Sequence, residues 1–183
     1  MLGVSLLIPA PLIPALWGPA EHMIVHLSAP LAIGLDSVLW TGWSILIGLL
    51  GSRWSVQRVG RDGPLTRLRA FEAGGGFYRA LGIRRWKPFL PDAGGFAGGR
   101  RKSLHRPLER ASWAALAAET RRAERVHWLI AAAAPLTVVW NSGILLASMA
   151  AYALIANAPC IAAQRYNRIR LVALVDRGRE RGH

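Results

Sequence analysis

The stretch GILLASMAAYALIANAPCIAAQRYNRIRL, residues 143–171, decides how the chain is read. Up to Ala163 it contains no charged residue, and at about 1.5 Å rise per residue such a helix would cross a hydrocarbon layer of about 30 Å. It then ends in Gln164, Arg165, Tyr166, Asn167, Arg168 and Arg170. Anchoring a helix end at a membrane surface calls for Lys or Arg only, so the Gln, Tyr and Asn are surplus to that task. If the helix continues past Pro159, Gln164, Asn167 and Arg168 fall on one face, and Tyr166 and Arg170 form a neighbouring pair. Planar Arg groups recognise phosphates and amide side chains can hold sugar hydroxyls, which favours a binding site over a plain anchor.

The rest of the chain repeats the contrast between apolar and basic segments. Of 183 residues 52% are hydrophobic, and 23 Lys and Arg stand against 10 Asp and Glu. No base lies in residues 1–51 or 126–163; all of them fall in residues 53–125 or 165–181. This distribution reads as a membrane protein with its basic segments on the cytoplasmic side, and it argues against a nucleic-acid binder, which would not leave fifty residues without a base. The single cysteine, Cys160, excludes an internal disulfide and a multi-cysteine zinc site. The opening MLGVSLLIPAPLIPALWG lacks the basic start of a secretory signal, and is read as a kinked first span or an interfacial segment.

Four apolar stretches stand out, Leu2 to Trp17, Leu27 to Leu50, Trp128 to Trp140 and Ile144 to Ala163. The expected fold is an all-α integral membrane protein, with three to four membrane-inserted helices, a basic cytoplasmic loop and an interfacial helix. Residues 1–51 supply N-terminal membrane segments, with Asp36 facing another helix or a polar cavity. Residues 52–125 form the basic loop, whose Gly74–Gly76 and 94–99 clusters are flexible joints. Its final helix, from Pro107 to Trp128, places Arg121, Arg122 and Arg125 near lipid headgroups. Residues 126–163 make a membrane hairpin turning at Asn141 to Gly143, and 164–183 are a basic tail carrying the QRYNR motif. The expected location is the cell membrane, multi-pass, with loop and C-terminus cytoplasmic.

Three clusters can carry chemistry. In RAERVHW, residues 122–128, Glu124 and His127 are three apart on a helix, so the carboxylate can orient the imidazole as a general base; a plain His-Trp anchor at the headgroups is the other reading. The di-iron reading, which needs Glu-x-x-His pairs on two helices packed together, is set aside, and no metal is expected. Asn157, two residues before Pro159, is either glue between helices or a polar cavity lining. The run Arg84-Arg85-Trp86-Lys87 is either a basic-aromatic surface patch or a seat for a phosphate-rich donor such as a coenzyme A thioester.

Taken together, Arg-Ala-Glu-x-x-His-Trp at 122–128, Asn-x-Pro followed by Gln-Arg-Tyr-Asn-Arg-x-Arg-Leu at 157–171, and Arg-Arg-Trp-Lys with a later Leu-Pro at 84–91 resemble the glycosyl-diaponeurosporenoate acyltransferases of carotenoid biosynthesis. The resemblance runs from Tyr78 to Leu171 in the family's order. It implies a membrane enzyme of a staphyloxanthin-type pathway that moves a fatty acyl group from acyl-CoA or a similar thioester to a sugar hydroxyl of a glycosylated carotenoid or related glycolipid, with no tightly bound cofactor. On that reading His127 is the base and Glu124 steadies it. Arg85, Trp86 and Lys87 with Arg165, Arg168 or Arg170 hold donor phosphates or the oxyanion, and Asn157, Gln164, Tyr166 and Asn167 line the acceptor site. The rival is a non-catalytic membrane scaffold or chaperone of a lipid pathway that binds anionic lipid.

Overall fold

The computed structural model describes residues 23–90 and 110–180. In chain order its helices are α1 (Ala29–Ser52), α2 (Val56–Val59), α3 (Gly76–Ala80), α4 (Ile83–Trp86), α5 (Arg110–Ala131) and α6 (Gly143–Glu180), with 3₁₀ turns at Ala70–Gly75, Lys87–Phe89 and Ala134–Val139. The three long helices pack side by side. Glu124 and His127 of α5 meet Arg168 and Asn157 of α6, so these two run antiparallel. Along α1, Trp43 Nε1 donates to Leu129 O at 2.9 Å and Gly51 abuts Val126, so α1 is antiparallel to α5 as well. An apolar cluster of Trp40, Ala133, Ala134 and Ala153 ties the three together at one end.

Asp36 is buried at that end. Its carboxylate accepts from Trp140 Nε1 at 2.9 Å and from Asn141 Nδ2 at 2.9 Å on each oxygen. A carboxylate within an apolar helix is tolerated only with such donors, and here they lock α1 to the turn that precedes α6. Gly143 takes φ +51 at that turn, a left-handed conformation that a side chain would disfavour.

Two expectations need correction. Among the described residues two helices, not three or four, are long and apolar enough to cross a membrane: Ala29–Ser52, with mean hydropathy 1.5, and Gly143–Asp176, with 1.8. The Trp128 to Trp140 stretch does not form a third. Pro135 has no N–H to continue α5, so the chain turns into a 3₁₀ segment with Leu136 N bonded to Ala133 O and Trp140 N to Thr137 O. Its neighbour α5 carries Glu119, Arg121, Arg122, Glu124 and Arg125 and is amphipathic rather than apolar. The stretch Leu2 to Trp17 and the glycines at 94–99 lie outside the described residues.

The multi-pass location with a basic cytoplasmic loop falls with the fold class, because among the described residues only those two helices, each little buried, pass as candidate spans; the described part of the basic region is folded against α5 and α6. Arg122 Nη2 donates to Trp54 O at 2.6 Å, and Arg125 donates to Arg58 O at 3.1 Å and Arg61 O at 2.6 Å. Arg121 pairs with Asp62 at 2.6 Å. Irregular backbone must satisfy its carbonyls somewhere, and these arginines, expected at headgroups, do so with their forked donors. Helix α6 also runs unbroken through Pro159 and Ala163, so its apolar and basic halves are one rigid element.

Candidate active site

The basic half of α6 is the centre on which all three motif segments converge. On the α5 side, Arg165 Nη1 donates to Glu124 Oε1 at 2.5 Å and Arg168 Nη1 donates to Glu124 Oε2 at 2.7 Å. Arg165 also holds Glu72 through two parallel bonds, Nε to Oε1 and Nη2 to Oε2, both 2.7 Å. Glu124 and Arg168 are fully buried, Glu72 is 1% exposed and Arg165 9%. Two guanidinium groups thus face two carboxylates with the charge balanced. Further Arg donors reach the carbonyls of Leu65 at 3.0 Å, Thr66 at 2.5 Å and Arg67 at 2.8 Å, while Arg168 Nε has no hydrogen-bond partner among the described residues. Burying four charges costs several kcal/mol each unless pairing of this quality is present, and it is.

Glu72 sits where it does for local reasons. It is the third residue of the Ala70–Gly75 turn, where its Oε2 accepts from the N–H of Arg69 at 2.5 Å while its own N–H donates to Arg69 O at 3.0 Å. The Tyr78 hydroxyl donates to its Oε1. Burial pushes this carboxyl upward, but the bonds from Arg165, Tyr78 and the Arg69 amide outweigh it and hold the pKa down to about 2. Burial and the adjacent Glu72 push the Tyr78 phenol above its ordinary range. Gly75 takes φ +71, and a Cβ there would lie 3.1 Å from the Tyr166 ring, so at this one position of the triple glycine a side chain would crowd Tyr166.

On the other side of α6, residues of the Arg-Arg-Trp-Lys run meet Tyr166 and Asn167. Arg84 Nε donates to the Tyr166 hydroxyl at 3.4 Å and Lys87 Nζ donates to Asn167 Oδ1. Lys87 Nζ and Arg170 Cζ each lie 5.9 Å from the Tyr166 ring centroid. Tyr166 itself is buried with Tyr78 and Ile83, its ring centroid 6.1 Å from that of Tyr78. Trp86 Nε1 donates to Leu81 O at 3.0 Å and so braces α4, while Arg85 is exposed.

His127 stands one helical turn beyond Glu124, where the nitrogen Nδ1 lies 3.0 Å from Asn157 Oδ1. The Asn157 amide nitrogen donates to Ala153 O at 3.0 Å, which directs Oδ1 at the imidazole. An acceptor facing Nδ1 makes that nitrogen the protonated one, so Nε2 carries the lone pair in the neutral ring. The orienting partner seen at Nδ1 is therefore Asn157, and both Glu124 oxygens are engaged by arginines. Gln164, two turns on from Asn157, is half-buried on the same face of α6.

Apart from Glu124, Arg165 and Arg168, which pair with one another, and from Arg85 and Trp86, the predicted site residues thus form two groups. Asn157 and Tyr166 are nine residues apart, about 14 Å along the axis and about half a turn around it at 3.6 residues per turn. His127, Asn157 and Gln164 belong to the seam with α5; Tyr166, Asn167, Arg170, Arg84 and Lys87 belong to the opposite side. Glu72 and Tyr78 are contributors to which the motif reading gave no role, and Arg84, part of the basic run, bonds Tyr166. Glu72 did leave a trace, since it is the lone acid between Asp62 and Asp92 amid a run of bases, and such an acid needs a partner. Among the described residues no three His, Cys, Asp or Glu side chains gather to hold a metal.

A family model described as glycosyl-4,4'-diaponeurosporenoate acyltransferase matches residues 64–177. The matched range takes in every residue of both groups, together with Glu72 and Tyr78. No curated protein and no solved structure matches the chain.

Proposed function

Because the chain belongs to the glycosyl-4,4'-diaponeurosporenoate acyltransferase family, and is thus an acyltransferase of carotenoid-related metabolism, we propose that it moves a fatty acyl group from an acyl thioester to a sugar hydroxyl of a glycosylated carotenoid or related glycolipid. The observation that carries this reading is the His127 and Asn157 pair, which sets a carbonyl acceptor against Nδ1 of an imidazole at the seam of α5 and α6.

In this scheme Nε2 of His127 takes the proton from the sugar hydroxyl as its oxygen attacks the acyl carbonyl. The new C–O bond forms, the C–S bond breaks, and the proton passes from the imidazolium to the departing sulfur. Asn157 acts through His127 and is a positioning residue. Gln164, further along the same face, offers an amide to the sugar hydroxyls. Glu124 has a different task from the one first assigned to it: with Glu72 it neutralises Arg165 and Arg168 and fixes α6 against α5. The exposed apolar side chains of α6, among them Ile144, Leu154 and Ile155, give a long hydrophobic acceptor a surface to lie on.

The test is acyl transfer from a long-chain thioester to a glycosylated apocarotenoid acid. His127→Ala should lower kcat by about 10²–10⁴ with far-UV circular dichroism unchanged, the range that a general base contributes. Asn157→Asp should move the acidic limb of the kcat profile to higher pH, because an anion at Nδ1 favours the imidazolium. Normal turnover in His127→Ala would remove the base assignment.

A further inference from the structure

Arg84, Lys87, Pro88, Tyr166 and Arg170 line an open cleft of about 300 Å³, on the side of α6 turned away from His127. No carboxylate is among the described lining residues. This separates it from the neighbouring Arg165 and Arg168, whose charge Glu72 and Glu124 already balance. The same helix end therefore holds two kinds of arginine. One kind is buried, bidentate and compensated; the other, Arg84 and Arg170, is exposed at the rim of a cavity.

The cleft is also shaped for an anion. Tyr166 forms its floor, and because its hydroxyl oxygen already accepts from Arg84 Nε, its own proton is available to donate outward. Lys87 is held over the Tyr166 ring by its bond to Asn167, and Arg170 approaches the same ring from the next turn of α6. Three cations and a phenol converge on a volume at the lower end of the range of about 300–1,000 Å³ usual for small-molecule sites. Guanidinium groups match the spaced oxygens of phosphates, and a lysine adds a compact charge.

We propose that this cleft is a phosphate-binding site, taking the phosphomonoester or diphosphate end of a ligand. Two sources carry that chemistry, the nucleotide end of a coenzyme A thioester and the headgroup of an anionic phospholipid. The proposal does not rest on His127 as base, because the cleft lies about half a turn around α6 from Asn157.

Binding is measured on the full chain in a neutral detergent, by equilibrium dialysis with inorganic pyrophosphate and with coenzyme A, and by retention on mixed micelles containing phosphatidylglycerol or phosphatidylcholine. The Arg84→Gln/Arg170→Gln variant should weaken pyrophosphate binding about tenfold or more, the loss of one or two charge-assisted hydrogen bonds. Arg53→Gln, an exposed arginine outside the cleft, serves as control. If coenzyme A shows the same loss, the source is the acyl donor; if only phosphatidylglycerol retention shows it, the source is a lipid headgroup, and either result supports the site. Where coenzyme A binds, the ratio of kcat/KM for the coenzyme A thioester to that for the phosphate-free N-acetylcysteamine thioester should fall in the double variant. Unaltered pyrophosphate binding in the double variant, or none in the wild type, overturns the proposal, and neither result bears on His127.

Discussion

Replacing Glu124 by Gln should destabilise the protein severely. Its two oxygens are the anionic partners of Arg165 Nη1 and Arg168 Nη1, at 2.5 and 2.7 Å. A Gln offers one acceptor oxygen and turns an NH₂ toward the other guanidinium. Arg165 keeps Glu72, but among its hydrogen bonds Arg168 is left with the Thr66 carbonyl alone, at 0% exposure. Leaving a buried charge without its counter-ion costs about 3–5 kcal/mol. At about 2–4 °C per kcal/mol for a chain of this size, the thermal midpoint should fall by about 6–20 °C. The comparison is Asp62→Asn, which removes the partner of Arg121; the Asp62 side chain is 38% exposed, and exposed pairs are worth at most about 1 kcal/mol. Thermal unfolding followed by far-UV circular dichroism measures both. Adding Arg168→Met to Glu124→Gln should recover part of the loss, since the uncompensated charge is then gone. If Glu124→Gln melts within about 2 °C of the wild type while losing turnover, Glu124 acts chiefly on His127 and the structural assignment is refuted.

The Glu72 carboxyl titrates near 2 in the folded chain against an ordinary value of 4.5, so its contribution is complete above pH 4.5 and is lost as pH falls toward 2. At about 1.4 kcal/mol per pH unit this is about 3 kcal/mol, and Glu72→Gln should flatten the acid limb of a stability-against-pH curve between those values. Tyr78→Phe removes the hydroxyl bonded to Glu72 and should cost about 1 kcal/mol by denaturant titration, with Glu72 titrating closer to 4.5. Gly51→Ala in the last turn of α1 should destabilise by about 1–3 kcal/mol, although helix propensity alone favours Ala, because the new methyl would meet Val126 Cγ2 at 2.4 Å.

Much of this was legible in the order of the residues. The apolar runs of α1 and α6 follow from composition, and the unbroken polar continuation of α6 past Ala163 could be suspected from the Gln, Tyr and Asn that anchoring does not require. The third apolar stretch misled, because hydropathy sums over Pro135 while a hydrogen-bonded helix cannot. The basic loop misled for the opposite reason. Seventeen bases between residues 53 and 125 suggest repulsion and solvation, yet among the described residues Arg69, Arg79, Arg121, Arg122 and Arg125 bond backbone carbonyls or a carboxylate, and the lone Glu72 is held by Arg165.

By itself the sequence determined the chemistry available: three motif segments, their family, the long apolar runs of α1 and α6, and a histidine three positions from Glu124. The tertiary structure alone decided which of these side chains face one another. Residues 72, 124 and 165 are remote in the chain, yet Glu124, three positions from a histidine, pairs with Arg165 and Arg168, the first of which also holds Glu72. The same packing divided the arginines of QRYNRIR, turning Arg165 and Arg168 inward to Glu72 and Glu124 and leaving Arg170 at an open cleft. Helical periodicity sets those directions, but only the positions of α5 and of the Arg84 to Lys87 segment around α6 give each direction a partner.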